Sequence, residues 1–190
     1  MSVAGSPWLA IVEPCVIQLA GREGVGKTAL AAAVAGKAGN VTVVEKDIFL
    51  WGLLRGGVAR VPAGPLAYEQ MFAAAEVYVH RGVAAVIDSP VFSPATLRNS
   101  LDLAQRLAVR HVFVDCLLAD DAERARRLQD PMRLPCQAHS LRDCQVLATV
   151  KPSDVLSVDM SVPLDEGASL LISYLGDGGL CRRPEGADGT

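Results

Sequence analysis

Residues 21–28 read GREGVGKT, and this octet constrains the chain more than any other stretch. Its spacing is G-x-x-x-x-G-K-[ST], the Walker A pattern, carried by Gly21, Gly26, Lys27 and Thr28. Glycines let a backbone turn so that successive N–H groups face one oxyanion. A helix starting at the end of such a loop adds partial positive charge. A lysine at position 27 reaches outer phosphates, and a hydroxyl at position 28 suits Mg²⁺. The phosphate-cradling set is therefore Gly21, Arg22, Glu23, Gly24, Val25, Gly26, Lys27, Thr28 and Ala29.

The flanking residues specify how this loop is mounted. CVIQLA (15–20) is a short apolar run ending at a glycine and reads as a buried strand. KTALAAAVAGKA after it is alanine-rich and reads as a helix broken at Gly39-Asn40. Further strands are expected at 41–44, 83–88, 111–116 and 155–160, separated by helical segments at 94–108, 119–128 and 164–175. Residues 55–64, RGGVARVPAG, read as a mobile connection, with Pro65 opening a helix that ends at Gly82. Alternating strands and helices of this kind predict a three-layer α/β fold with a central parallel sheet of about five strands. Residues 1–176 are expected to form one domain, with 177–190 a disordered tail. Ligands of parallel sheets bind beyond the carboxyl ends of the strands. The glycine loop, Asp47 and Asp88 all fall at such ends.

Composition removes several alternatives. A net charge of −3 supplies no basic field for nucleic acid. No apolar run approaches the length of a membrane span, and the N-terminus lacks a basic region and carries Glu13, so no secretory leader is expected. Five scattered cysteines (15, 116, 136, 144 and 181) suit reduced thiols and a cytoplasmic setting. Cys136, His139 and Cys144 lack a regular zinc spacing. His80 and His111 read as structural.

Rival uses of the loop fit less well. Gly24, Gly26 and Ala29 also match G-x-G-x-x-A, with Glu45 where a ribose-binding acid would fall, but a dinucleotide loop has no use for Lys27-Thr28. A GTPase would carry D-x-x-G after the third strand, whereas Asp88 is followed by SPV. Next to Asp88 along the chain the sequence offers no second acid to activate water.

With the octet, VVEKD (43–47), VIDSP (86–90) and RRLQDPMR (126–133), the chain from about 15 to 175 resembles the P-loop small-molecule kinases. These include gluconate kinase, shikimate kinase, chloramphenicol phosphotransferase and the zeta-toxin group. The resemblance implies ATP and Mg²⁺ as cofactors and a small-molecule hydroxyl as acceptor. It implies that Asp47 orients that hydroxyl and takes its proton, and that Asp88 lies near Mg²⁺ or substrate. Glu45 is the competing acid, expected to be exposed. It implies a lid at about 129–145, with Arg127 and Arg133 offsetting phosphoryl charge beside Lys27 and with Arg124, Arg126 and Arg142 as alternatives. An acceptor pocket is expected among Phe49, Trp51, Arg55, Arg60, Tyr68, Phe72 and Phe92. A nucleotide-binding accessory protein that transfers nothing is the competing function.

Overall fold

The computed structural model describes residues 10–89, 94–129, 134, 136, 152 and 154–176. Among the described residues the strands are β1 (Ala10–Ile11), β2 (Cys15–Ala20), β3 (Ala38–Gly39), β4 (Val41–Glu45), β5 (Ala84–Asp88), β6 (Arg110–Leu117) and β7 (Val155–Asp159), interspersed with six helices. The helices are α1 (Lys27–Lys37), α2 (Lys46–Arg55), α3 (Arg60–His80), α4 (Pro94–Arg106), α5 (Asp121–Leu128) and α6 (Leu164–Gly176). Five strands form one parallel sheet in the order β4-β5-β2-β6-β7. This is the three-layer α/β arrangement expected from the sequence. The small parallel pair β1-β3 is an addition too short to leave a periodic signal.

Each central strand buries both faces, as parallel strands between helix layers must. Cys15, Ile17 and Leu19 of β2 join Leu30, Val34, Leu171 and Ile172 in a core beneath α1 and α6. Val16 joins Met71, Ala75, Ile87 and Leu103 on the opposite side, beneath α3 and α4. The same alternation runs through β5, with Ala84 and Val86 on the α1 side and Ala85 and Ile87 on the α3 side. Asp88 continues this series onto the α1 side, where the glycine loop lies.

One expectation fails. Residues 60–64 belong to α3, and Pro65 lies inside that helix instead of starting it. A buried stripe of Ala63, Ala67, Met71, Ala75 and Val79 runs its length at four-residue spacing. Packing of this stripe outweighs the backbone bond that Pro65 cannot donate. Pro65 itself faces solvent, so the carbonyl it leaves behind is open to water. Only the turn between Arg55 and Arg60 remains of the expected connection. The tail after residue 176 and most of the expected lid lie outside the described residues.

Leu171 is fully buried, whereas its neighbour Leu170 is 48% exposed. Leu171→Ala should therefore cost about 2–5 kcal/mol in urea denaturation, and Leu170→Ala about 0.5 kcal/mol or less. Equal losses would contradict the placement of α6.

Candidate nucleotide and acceptor site

The glycine loop leaves β2 and enters α1 through three residues with positive φ, Gly21 (133°), Gly24 (79°) and Gly26 (108°). Space forbids side chains there as much as torsion does. A Cβ on Gly21 would lie 2.5 Å from the Cys116 carbonyl oxygen, and one on Gly24 would lie 2.8 Å from Leu128 Cγ. Lys27 begins α1 with its side chain largely buried, and its Nζ donates to the carbonyls of Gly21 and Arg22 at 2.9 Å each. Thr28 and Ala29 follow in the first turn, both exposed.

Helix α5 braces this loop from outside. Asp120 caps it by accepting from the backbone N–H groups of Ala122 and Glu123. Arg124 Nη1 donates to the Glu23 carbonyl at 3.3 Å, and Arg22 pairs with Asp121 at 2.9 Å. Arg127 Nη1 donates to the Val25 carbonyl at 2.9 Å, its Nη2 to the Met160 carbonyl at 3.3 Å, and its Nε to Glu123 at 2.8 Å. Arg127 is thus brought to the loop as a brace on its backbone. Arg126 pairs with Glu123 and is exposed. Arg133 and Arg142 lie outside the described residues.

Asp88 ends β5 with 5% exposure. A hydrogen bond from Thr28 and the charge of Lys27 favour its ionised form, yet burial outweighs both and raises its pKa. Its Oδ2 is buried without a hydrogen-bond partner among the described residues. A buried carboxyl oxygen that costs free energy unpaired, beside the Thr28 hydroxyl, fits a hard cation such as Mg²⁺.

Asp47 stands in the first turn of α2, paired with the Lys46 ammonium, and both side chains are mostly buried. Glu45, not Asp47, occupies the N-cap position, and it makes no capping bond. Glu45 also corrects the sequence reading, because it is half-buried and not exposed. It is the in-register neighbour of Asp88 on the adjacent strand. Burial, then the charges of Asp88 and Asp47, push its pKa up to about 7, against a smaller opposing effect of Lys46. Two strands that both end in an acid were the available signal, but only their register makes those acids neighbours.

Behind Asp47, Leu50, Ala63, Ala67 and Cys136 form a small core with Phe49, Trp51 and Leu134 packed on it. Cys136 Sγ approaches the Asp47 carbonyl at 3.7 Å, and Arg60 reaches the Cys136 carbonyl at 3.4 Å. Tyr68 and Phe72 pack on the α3-side core, and the Lys46 ammonium lies 5.9 Å from the Tyr68 ring centre. Arg55 is exposed, and Phe92 lies outside the described residues. Phe49, Trp51, Tyr68 and Phe72 each pack against a core with part of the side chain still exposed. His139 and Cys144 also lie outside the described residues, among which no metal-binding cluster of His, Cys, Asp and Glu occurs. His80 is exposed at the end of α3. His111 bonds Ser100 at 3.0 Å, and burial lowers its pKa to about 4.

The profile of the AAA domain matches residues 16–135, from the strand that carries the glycine loop through α5. The chain belongs to the AAA domain family. No curated protein is matched by the sequence. Among solved structures, this AAA domain is similar to a protein from Chloroflexus aurantiacus J-10-fl that is provisionally described as a kinase. The TM-score is 0.66 at 18% identity, over 88% of this chain and 98% of that one. It is also similar to the Mycobacterium tuberculosis APS kinase in complex with AMPPNP and APS, with a TM-score of 0.63 at 15% identity over 87% and 99% of the two chains. The tunicamycin resistance protein of Deinococcus radiodurans gives 0.56 at 15% identity over 85% and 95%. At these identities the likeness is one of fold, and the fold is that of P-loop small-molecule kinases. No described helix is long and apolar enough to cross a membrane.

The Glu45 pKa of about 7 lies above the ordinary value of 4.5. The folded state therefore holds this proton more tightly than the unfolded state does. The resulting stability is full below pH 4.5 and is lost as pH rises through 7. Glu45→Gln should raise the melting temperature at pH 8 by a few degrees, about 1–2 kcal/mol, with a smaller gain at pH 4.5. A less stable variant at pH 8 would contradict this environment for Glu45.

Proposed function

We propose that this AAA domain transfers the γ-phosphoryl group of ATP, with Mg²⁺, to a hydroxyl of a small molecule. The observation that supports it best is the convergence on one sheet edge of the glycine loop, the Thr28–Asp88 pair and Asp47. In this reading the backbone N–H groups of residues 21–29 hold the phosphates, with Lys27 turning from the loop carbonyls toward the outer ones. Thr28 and Asp88 would hold the cation, which would supply positive charge against the phosphates. Asp47 accepts the acceptor's proton as the hydroxyl oxygen bonds to the γ-phosphorus and the bond to ADP breaks. Arg127 keeps the loop in shape, and Arg133 is assigned to the phosphoryl charge. The remainder of 129–145 is assigned as the lid that excludes water. The acceptor is a metabolite, nucleoside or antibiotic, the setting is cytoplasmic, and nucleic acid and membranes are not partners.

A second reading has a specific observation behind it. The guanidinium of Arg127 is committed to Glu123, Val25 and Met160, so it acts on the loop and not on a transferring group. A nucleotide-binding accessory protein would need no more than this. It predicts ATP binding without acceptor-dependent ADP release.

The two readings separate in a mass-spectrometric screen of the protein with ATP, Mg²⁺ and a pooled metabolite and antibiotic library. The kinase reading predicts one product heavier by a phosphoryl group and absent with Lys27→Ala or EDTA. Asp47→Asn should then lower turnover by about 10²–10⁴-fold while ATP affinity changes by less than about twofold. ATP binding with no product, or full turnover by Asp47→Asn, would overturn the assignment.

A further inference from the structure

Strands β2 and β5 pair at Val16↔Ala85, Ile17↔Val86 and Gln18↔Ile87, and no further. Beyond that level Leu19 and Ala20 of β2 continue to pair with Val114 and Asp115 of β6. The sheet therefore splits between β2 and β5 at Gln18, directly below the edge that carries Asp88. Gln18 is fully buried at the split, in a strand whose other members are apolar or small. A buried amide is costly where an aliphatic side chain would pack, so its bonds need an account.

The two hydrogens of its Nε2 serve three carbonyls, Leu19 at 2.9 Å, Ile87 at 3.4 Å and Ser89 at 3.5 Å, so one hydrogen is shared. The first belongs to β2. The other two flank Asp88 on either side in sequence. The amide thus bridges the split where the ladder has stopped, and it holds the backbone from which the Asp88 carboxylate projects. Three polar atoms here have no partner among the described residues: Gln18 Oε1, Ser89 Oγ and Asp88 Oδ2. Ser89 is also fully buried. Maximal stability would not leave this much polarity unpaired in one place. Unsatisfied groups of this kind collect where position matters more than stability.

We propose that Gln18 is a positioning residue for Asp88: its amide ties the end of β5 to β2 and so sets the carboxylate against Thr28. The inference rests on the proposed role of Asp88 beside the cation. Gln18 touches neither nucleotide nor acceptor, and it acts through the backbone of residues 87–89.

The test compares ATP binding by calorimetry with Mg²⁺ and with EDTA, for wild type, Gln18→Met, Asp88→Asn and the double variant. Methionine keeps the length and apolar packing of the side chain and removes the amide. Gln18→Met should retain the EDTA affinity and lose about tenfold of the gain that Mg²⁺ confers, the usual size of an effect transmitted to a ligand by its supporting group. Asp88→Asn should lose that gain as well, and the double variant should lose little more. Gln18→Asn, with its amide on a shorter stem, is the second variant should Gln18→Met fold poorly, and it should show the same loss of the Mg²⁺ gain. Backbone amide exchange at residues 86–89 should accelerate in Gln18→Met while the α1 amides stay protected.

An unchanged Mg²⁺ gain in Gln18→Met, or losses that add fully with Asp88→Asn, would overturn the inference. So would unchanged exchange at 86–89. Wild type that binds no ATP would instead remove the proposed function, and the exchange measurement would then decide the tether by itself.

Discussion

A side chain at residue 21 would sit 2.5 Å from the carbonyl oxygen of Cys116, and the rest of the site depends on that close approach. It presses the loop after β2 against the end of β6, so the loop turns across the sheet edge. Three glycines with positive φ supply the turn, and α5 closes over it with Leu128 where a Gly24 side chain would go. Arg124 and Arg127 then bond the carbonyls of Glu23 and Val25. Arginines that engage the Glu23 and Val25 carbonyls suit a loop whose N–H groups serve an anion. Preorganisation of this kind costs stability during folding and removes reorganisation at the moment of binding.

The electrostatics of the edge follow from strand register. Glu45 and Asp88 are in-register neighbours on adjacent parallel strands, and Asp47 follows two residues after Glu45. Two ammonium groups stand among these three acids, Lys27 from the loop side and Lys46 from the α2 side. Burial and mutual repulsion raise Glu45, and burial raises Asp88. Such an edge is stabilised by added positive charge, which is the physical case for a cation beside Thr28 and Asp88.

The frame of this fold was readable because its signals are local. CVIQLA is buried at every position, so its apolar run marked β2 at both ends. The octet placed the loop because glycine, lysine and threonine each have a separate reason to be there. Pro65 misled because a proline reads as a start, whereas the four-residue stripe from Ala63 to Val79 decides where α3 begins. Glu45 was misjudged because strand register sets it beside Asp88, forty-three residues away and one strand over. Gln18 carries no sequence signal, because its role exists only where β2 and β5 separate. Phe49, Trp51, Tyr68 and Phe72 look alike as aromatics in the sequence, and only the fold shows which core each packs on.

The central claim is that the glycine loop and Asp88 together form one nucleotide and cation site. A crystal structure of the protein with AMPPNP and Mg²⁺ tests it most directly. The account predicts β- and γ-phosphates against the N–H groups of residues 24–28, Lys27 Nζ moved from the Gly21 and Arg22 carbonyls to a phosphate oxygen, and the cation between Thr28 and Asp88. Nucleotide bound elsewhere, or phosphates on the loop with Asp88 remote from the cation, would contradict it.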